Sequence, residues 1–248
     1  MPRILQITDL HLRASATEGL KGIVTLTTLR AVLEDARGRG PFDLIAVTGD
    51  IAHDEPAAYA HVVRELAGTT PVYCIPGNHD EAERLKTGLD APHFHVGGHA
   101  RLGPWLCVFL DSTVVGAVGG ALAPEELERL SVTLAKHPDV PTVVFLHHPP
   151  VAVGSLWLDA IGLAEPERLF EVLDRHDQVR AIAFGHAHQA FDGERQGVLI
   201  LGTPSTCVQF LPGADDFALD VRPPGYRILD LGEDGSLAST VVWLDTSA

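Results

Sequence analysis

The sequence predicts an α/β fold. Short apolar runs recur along the chain, most of them five or six residues with little strict alternation, and amphipathic helical patterns lie between them. Such runs fit strands buried on both faces of a largely parallel sheet, and strands interleaved with helices define the class. A length of 248 residues is long for one small domain and short for two full ones. With no internal repeat, low-complexity linker or clear boundary, one unit over residues 1–248 is expected.

The first run, Arg3–Thr8, is stopped by Asp9. From Gly22 to Gly38, Leu29, Val32, Leu33 and Ala36 repeat at i, i+3, i+4 and i+7, which predicts a helix. Asp43–Thr48 is the second run, closed by Gly49-Asp50, and Pro56–Leu66 is the second helical stretch. Pro71–Ile75 leads into Pro76-Gly77-Asn78-His79, and Leu106–Leu110 into Asp111. After Ala123 a helix is expected with Pro124 at its first position, acidic residues in its first turn and Leu127, Leu130 and Leu134 on one face. Thr142–Leu146 runs into His147-His148-Pro149-Pro150. Pro166–Arg175 groups Leu169, Val172 and Leu173. Ala181–Phe184 leads to Gly185-His186, and Val198–Leu201 to Gly202. Beyond Gly202 helical periodicity is lost. Residues 202–248 read as loop plus two strands, Tyr226–Leu231 and Ser239–Leu244, around the turn Glu233-Asp234-Gly235, so the sheet is expected to end antiparallel. That tail is a candidate lid or dimer contact, with Pro212–Gly225 its irregular part.

Composition removes several functions. Apolar residues make up 46% of the chain and charged residues 21%, so disorder and fibrous structure are excluded. Lys and Arg number 18 against 33 Asp and Glu, a net charge of −15, which argues against a nucleic-acid polymer as partner. No apolar stretch approaches the ~20 residues of a membrane span, and the N-terminus enters a strand-like run at once, leaving no room for a signal peptide. A cytoplasmic protein is expected. Cys74, Cys107 and Cys207 are far apart in apolar or small-residue runs and read as buried free thiols. Histidine is the unusual count, at 13.

The uncommon residues sit at the strand ends: Asp9-x-His11, Asp50, Asn78-His79, His147 and His186-x-His188. In open α/β sheets, ligands gather outside the carboxyl ends of the strands, so these residues are expected to converge on one rim. Two carboxylates, one amide oxygen and four imidazoles, without a thiolate, suit Mn, Fe, Zn or Co better than Ca²⁺. Seven donors exceed one tetrahedral centre. They suit two metals about 3.5–4 Å apart, bridged by one carboxylate and a hydroxide, an arrangement that neutralises an anionic phosphate ester and activates water. Each motif alone has a bland reading: Asp-x-His as a cap, Gly49-Asp50 as a turn, His147-His148 before two prolines as a rigid bend. Five such accidents in this order at successive strand ends do not carry the pattern; a metal site does.

The order Asp-x-His, Gly-Asp, Gly-Asn-His-Asp, His, Gly-His-x-His, spanning residues 9–188, resembles the calcineurin-like metallophosphoesterases. Further segments, His147–Pro150, Ser155–Asp159, Thr203–Phe210 and Pro224–Arg227, resemble the bacterial class III cyclic-nucleotide phosphodiesterases. The resemblance implies a four-layer αββα sandwich of two mixed β-sheets flanked by helices. It implies Asp9, His11 and His188 on one metal, Asn78, His147 and His186 on the second, and Asp50 as bridge. The metals would be Mn²⁺ and/or iron, with Zn²⁺ or Co²⁺ also fitting. The implied reaction is hydrolysis of 3′,5′-cyclic AMP to 5′-AMP by a metal-bridging hydroxide. His79 would contact the phosphate beside Asn78 and protonate or stabilise the leaving oxygen, a need any departing alkoxide has. Family relatives include dimers, so a homodimer is compatible.

Other residues carry lesser expectations. Asp80 reads as loop support. His53 stands where relatives often place Asp, Asn or Gln; if it orients His79, that partner is here an imidazole. His148 either touches substrate or packs. His93, His95 and His99 read as a solvated loop, and His61, His137 and His176 as exposed helix positions. For Trp157, Phe210 and Tyr226 core packing is the expectation and a nucleobase contact the alternative. Two competing functions remain: a broader phosphodiesterase acting on 2′,3′-cyclic nucleotides, glycerophosphodiesters or nucleotide-linked lipid precursors, and a scaffold without turnover. A scaffold would be expected to have lost ligands, and all seven are present.

Overall fold

The computed structural model describes residues 1–245, so the last three residues of the 202–248 tail lie outside the described residues. The first part of the chain alternates β1 (Arg3–Ile7), α1 (Thr25–Gly38), β2 (Leu44–Thr48), α2 (Tyr59–Glu65), β3 (Val72–Ile75), α3 (Ala82–Gly88) and β4 (Phe94–Val96). Next come β5 (Gly98–Leu102), β6 (Trp105–Phe109), α4 (Pro124–Ala135), β7 (Thr142–Phe145), α5 (Leu156–Asp159), α6 (Pro166–Leu173), β8 (Val179–Phe184), β9 (Phe191–Arg195) and β10 (Val198–Gly202). The tail adds β11 (Gln209–Phe210), β12 (Leu219–Asp220), β13 (Gly225–Leu231) and β14 (Leu237–Trp243).

Two six-stranded mixed sheets result. One has the order β14-β13-β1-β2-β3-β4, with β1 to β4 parallel and β13 and β14 antiparallel at one edge. The other has the order β5-β6-β7-β8-β10-β9, parallel in the middle and antiparallel at both edges. Successive side chains of a strand face opposite ways, and the core divides accordingly into three layers. Leu5, Ile7, Val47 and Cys74 face α1 and α2, packing on Leu29, Val32, Leu33 and Val62. Leu106, Val108, Val144 and Ile182 face α4 and α6, meeting Leu127, Leu130, Leu134 and Leu169. Ile4, Ala46 and Ile75 of one sheet meet Cys107, Phe109, Val143, Phe145 and Ala183 of the other in the middle layer. Three apolar layers between four structural ones make the αββα sandwich.

The parallel strands and four expected helices lie where the apolar patterns placed them, within three residues at the ends; the second stretch opens as a 3-10 turn over Pro56–Ala58. The antiparallel ending is also observed. Other features correct the reading. His93 lies in a turn as expected, but His95 and His99 are in β4 and β5, and Gly97 and Gly98, both at positive φ, carry the chain from one sheet to the other. His95 stacks on Tyr73 there, centroids 4.5 Å apart. The helix α3 was not expected because only Leu85 of its seven residues is buried, leaving no periodicity to read. His61 is buried, not exposed, with Nε2 3.0 Å from Ala14 O. The three cysteines are free and buried, as expected.

An aromatic column, Tyr73 on Phe109 on Phe145 at centroid spacings of 4.8 and 4.9 Å, pins the sheets together. Replacing fully buried Phe145 by Ala is expected to cost about 3–5 kcal/mol, seen as a lower urea midpoint at nearly constant slope. A loss under about 1 kcal/mol would mean that the inter-sheet layer collapses around the gap instead of depending on the column.

Candidate metal centre

The carboxyl ends of β1, β2 and β3 in one sheet and of β7 and β8 in the other meet at one rim, and the expected donors follow them directly. Five of the seven, Asp9, His11, Asp50, His186 and His188, adopt left-handed backbone with φ between 44° and 63°. Such geometry costs of order 1–3 kcal/mol per residue and gathers at functional sites. Asp and His are among the side chains that tolerate it best. Glycines flank the donors because backbone and side chains pass very close. A Cβ on Gly185 would stand 2.0 Å from Thr8 Oγ1 and 2.8 Å from Asp9 Oδ2. One on Gly49, itself at φ +97°, would stand 2.3 Å from His147 Nδ1.

The donors form linked groups. Asp9, His11 and His188 cluster with ligand atoms mutually within 4.8 Å, and so do Asp9, Asp50 and His147. His11 Nε2 lies 3.1 Å from His188 Nε2, and His186 Nδ1 lies 3.0 Å from Asn78 Oδ1. About 3 Å is the spacing of neighbouring donors that share one ion at about 2.1 Å. Asp50 Oδ2 stands 3.6 Å from both His11 Nε2 and His147 Nε2, midway between the groups, while Asp50 Oδ1 accepts the His79 backbone N–H at 2.9 Å.

Protonation follows from the outer partners. His188 Nδ1 is 2.7 Å from Val208 O and His147 Nδ1 2.8 Å from Thr48 O. A carbonyl only accepts, so each Nδ1 carries a proton and Nε2 is left to face the cluster. Among the described residues His147 Nε2 and His186 Nε2 are buried without a hydrogen-bond partner. Burial works against ionised Asp9 and Asp50, yet His188 beside the first and His147 beside the second hold both carboxyls below the usual range. Burial would also lower His147, but the Asp50 and Asp9 carboxylates more than offset it and push it up to about 9. His11 and His186 are pushed down to about 3, chiefly by burial. A carboxylate-lined pocket facing neutral imidazole nitrogens fits a divalent cation, and without one His147 supplies a proton in its place.

The supports come from several loops. Ser205 Oγ donates to Asp9 O at 2.7 Å, and Thr8 Oγ1 to Asp9 Oδ2 at 2.8 Å. Asp80 accepts N–H bonds from Ile51, Ala52 and Gly77, each at 3.0 Å, bracing two ligand loops as expected; burial and the nearby Asp50 charge push it up to about 6. The partner of His79 Nδ1 is Asp54, at 3.1 Å, not His53. His53 instead meets His11, Nδ1 to Nδ1 at 3.0 Å, with its ring against His79 at 4.5 Å. For His148 the structure gives the protein contacts. That residue is wholly buried beside His147 and His186, with Nδ1 2.8 Å from Ser112 Oγ and Nε2 3.1 Å from Val118 O, so both nitrogens are spent on the protein.

A cavity of about 200 Å³ opens on the cluster, bounded by His11, Asp50, Asn78, His79, His186 and His188 on one side. Trp157 and Phe210, expected in the core, line its other side together with Phe217. Tyr226 packs in the core as expected, its hydroxyl donating to Asp35 Oδ2 at 2.6 Å. Asp54, Ser205 and Phe217 were missed by sequence reasoning. Only Asp54 carried a signal, four residues beyond Asp50 in the same loop.

A two-sheet αββα sandwich with carboxylate–histidine clusters at its strand ends is the architecture of a metallophosphoesterase. Residues 2–190 match the calcineurin-like phosphoesterase family, and the chain belongs to it. It is 38% identical over 245 residues to the 3′,5′-cyclic adenosine monophosphate phosphodiesterase CpdA of Vibrio vulnificus, across 96% of this chain and 89% of that protein. To CpdA of Escherichia coli K12 it is 40% identical over 243 residues, across 96% and 88%. The crystal structure of a dimetal phosphatase from Danio rerio shares the fold, with a TM-score of 0.66 at 16% identity across 98% of both chains.

Gly185→Ala should displace Asp9 and release most of the bound metal, measured by elemental analysis of the desalted protein; wild-type stoichiometry would show that the loop can yield. A second expectation concerns pH. In chelator-stripped protein, His147 titrates near 9 instead of its ordinary 6.5, so its contribution to stability is complete below pH 6.5 and is lost as pH rises toward 9. His11 and His186, held neutral down to about 3, act oppositely and cost stability as pH falls below 6.5. Stripped protein should therefore melt highest near pH 6.5. A melting temperature climbing steadily from there to pH 9 would contradict these assignments.

Proposed function

We propose that this protein is a metal-dependent 3′,5′-cyclic AMP phosphodiesterase that forms 5′-AMP at a centre of two metal ions. The observation that carries the reading is likeness to CpdA enzymes over 96% of the chain, supported by seven donors gathered at one rim. Asp9, His11 and His188 would hold one ion and Asn78, His147 and His186 the other, with Asp50 shared between them. The donor set suits Mn²⁺ and iron, and accepts Zn²⁺ or Co²⁺. When bound, such ions neutralise phosphate oxygens and lower the pKa of a shared water.

The chain's own residues then divide the work. Asp50 is fixed through Oδ1 by the His79 N–H, which leaves Oδ2 between the two histidine groups. Asn78 presents its amide to the same space as His186. His79 lines the cavity without belonging to the ligand set, and Asp54 accepts from its Nδ1, so it is the doubly protonated ring that carries on Nε2 the proton for the departing sugar oxygen. His148 is a support, not a substrate contact. The described residues, 1–245, form one unit, since β13 and β14 of the tail complete the first sheet. Among the described residues no helix is long and apolar enough to cross a membrane, and the reading puts the enzyme in the cytoplasm with a small cyclic nucleotide as its partner.

The test is turnover by metal-stripped protein restored with Mn²⁺, comparing 3′,5′-cyclic AMP, 2′,3′-cyclic AMP and bis(p-nitrophenyl) phosphate. Efficient hydrolysis of the 3′,5′ isomer supports the reading; activity on the other two alone discards the substrate and keeps the chemistry. His79→Ala should retain metal and lose about 10²–10⁴ in rate on cyclic AMP, and less on the nitrophenyl diester, whose leaving group needs no proton. Equal losses on both would remove His79 from the leaving-group role.

A further inference from the structure

We propose that Trp157, Phe210 and Phe217 form the subsite that holds the nucleobase, and so select a nucleotide over a base-free diester; this rests on the phosphodiesterase reading above. The three rings stand nearly perpendicular to one another, with centroids 5.0, 5.5 and 5.4 Å apart and interplanar angles of 67° to 70°. They make a corner instead of a packed stack, and all three line the cavity that opens on the metal donors. Phe210 lies flat on His188 at 4.1 Å, so the corner begins one ring away from a metal ligand. In a cyclic nucleotide the base is separated from phosphorus by one sugar ring, and the corner likewise lies in the same cavity as the metal donors.

Two observations point to a ligand. The Trp157 indole N–H is buried with no hydrogen-bond acceptor among the described residues, and an unmet buried donor is costly. Indole only donates, so its complement is an acceptor, which purine ring nitrogens provide. Phe217 is 50% exposed although large and apolar, as expected for a face that a ligand covers. Perpendicular aromatic rings also suit quaternary ammonium groups. Here the Lys21 ammonium already lies 5.1 Å from the Phe217 ring centre. That disfavours a second cation and leaves the corner to a neutral aromatic group. Stacking a base on such rings contributes about 1–3 kcal/mol.

The experiment uses metal-loaded full-length protein and the variants Phe217→Ala and Trp157→Phe. Phe217 is exposed enough that its loss does not threaten folding, and Trp157→Phe keeps a ring while removing the donor. Inhibition by 5′-AMP and by ribose 5-phosphate is compared, together with KM for 3′,5′-cyclic AMP. In wild type, 5′-AMP should bind about tenfold or more tightly than ribose 5-phosphate. Both variants should shrink that ratio and raise KM for cyclic AMP more than kcat changes. A ratio near one in wild type, or an unchanged ratio in both variants, overturns the subsite while cyclic AMP turnover keeps the phosphodiesterase reading. Absence of cyclic AMP turnover with intact nitrophenyl diesterase activity overturns that reading instead. Preferential cleavage of p-nitrophenyl phosphorylcholine, lost in Phe217→Ala, would give the corner to a cationic head group and overturn the proposal.

Discussion

Two carboxylates buried among imidazoles, Asp9 and Asp50, set the terms for the rest of the molecule. Both are almost wholly out of water, where an uncompensated charge is very costly. Histidine nitrogens surround them, and a cation satisfies all of these groups at once. The local structure is built to hold that arrangement against its own strain. Left-handed backbone directly after the strands brings Asp9 and His11 together with His188 in one cluster and sets His186 beside His147 in another. Glycines clear the space, hydrogen bonds to the carbonyls of Thr48 and Val208 fix the His147 and His188 rings, and the Thr8 hydroxyl donates to the Asp9 carboxylate.

The same constraint explains why two sheets are needed. Asp9, His11, Asp50 and Asn78 follow strands of the first sheet, while His147, His186 and His188 follow strands of the second. Neither sheet holds a complete set, so the relative position of the sheets fixes the spacing of the donors. Direct bonds cross that boundary at the rim. His147 Nδ1 reaches Thr48 O, and the His186 N–H reaches both oxygens of Asp9 at 3.1 and 3.0 Å. Gln6 Nε2 also crosses it, donating to Phe184 O at 3.4 Å. Packing of the Tyr73–Phe109–Phe145 column, which joins the two sheets, thus bears on the spacing of the candidate donors.

Much of this was legible in the sequence for a physical reason. Each donor group sits at the abrupt end of a short apolar strand, where polar residues in series serve no packing purpose. Supports and walls were less visible. Ser205 and Phe217 reach the rim from loops whose path depends on the sheets already being packed. His95 and His99 looked like loop residues because edge strands, solvated on one side, lack the apolar run of a central one. Asp54 was passed over for its neighbour His53, since adjacent residues in a turn point in directions that sequence alone does not distinguish.

The division between legible and illegible follows the division between reaction and selectivity. Polarising a phosphate ester and activating water needs a fixed set of donors at fixed spacing, and that requirement leaves motifs from Asp9 to His188. Recognising what the phosphate is attached to needs only a surface of suitable shape and polarity. Here that surface is assembled from α5, the end of β11 and the loop bearing Phe217, beyond or between the ligand motifs. His188 joins the two parts physically: its Nε2 faces the donor cluster, its Nδ1 is held by Val208, and its ring lies against Phe210. Moving the segment from Val208 to Phe210 would therefore disturb metal geometry and substrate wall together, so changes of specificity are easier at Phe217 and Trp157, which touch no ligand ring.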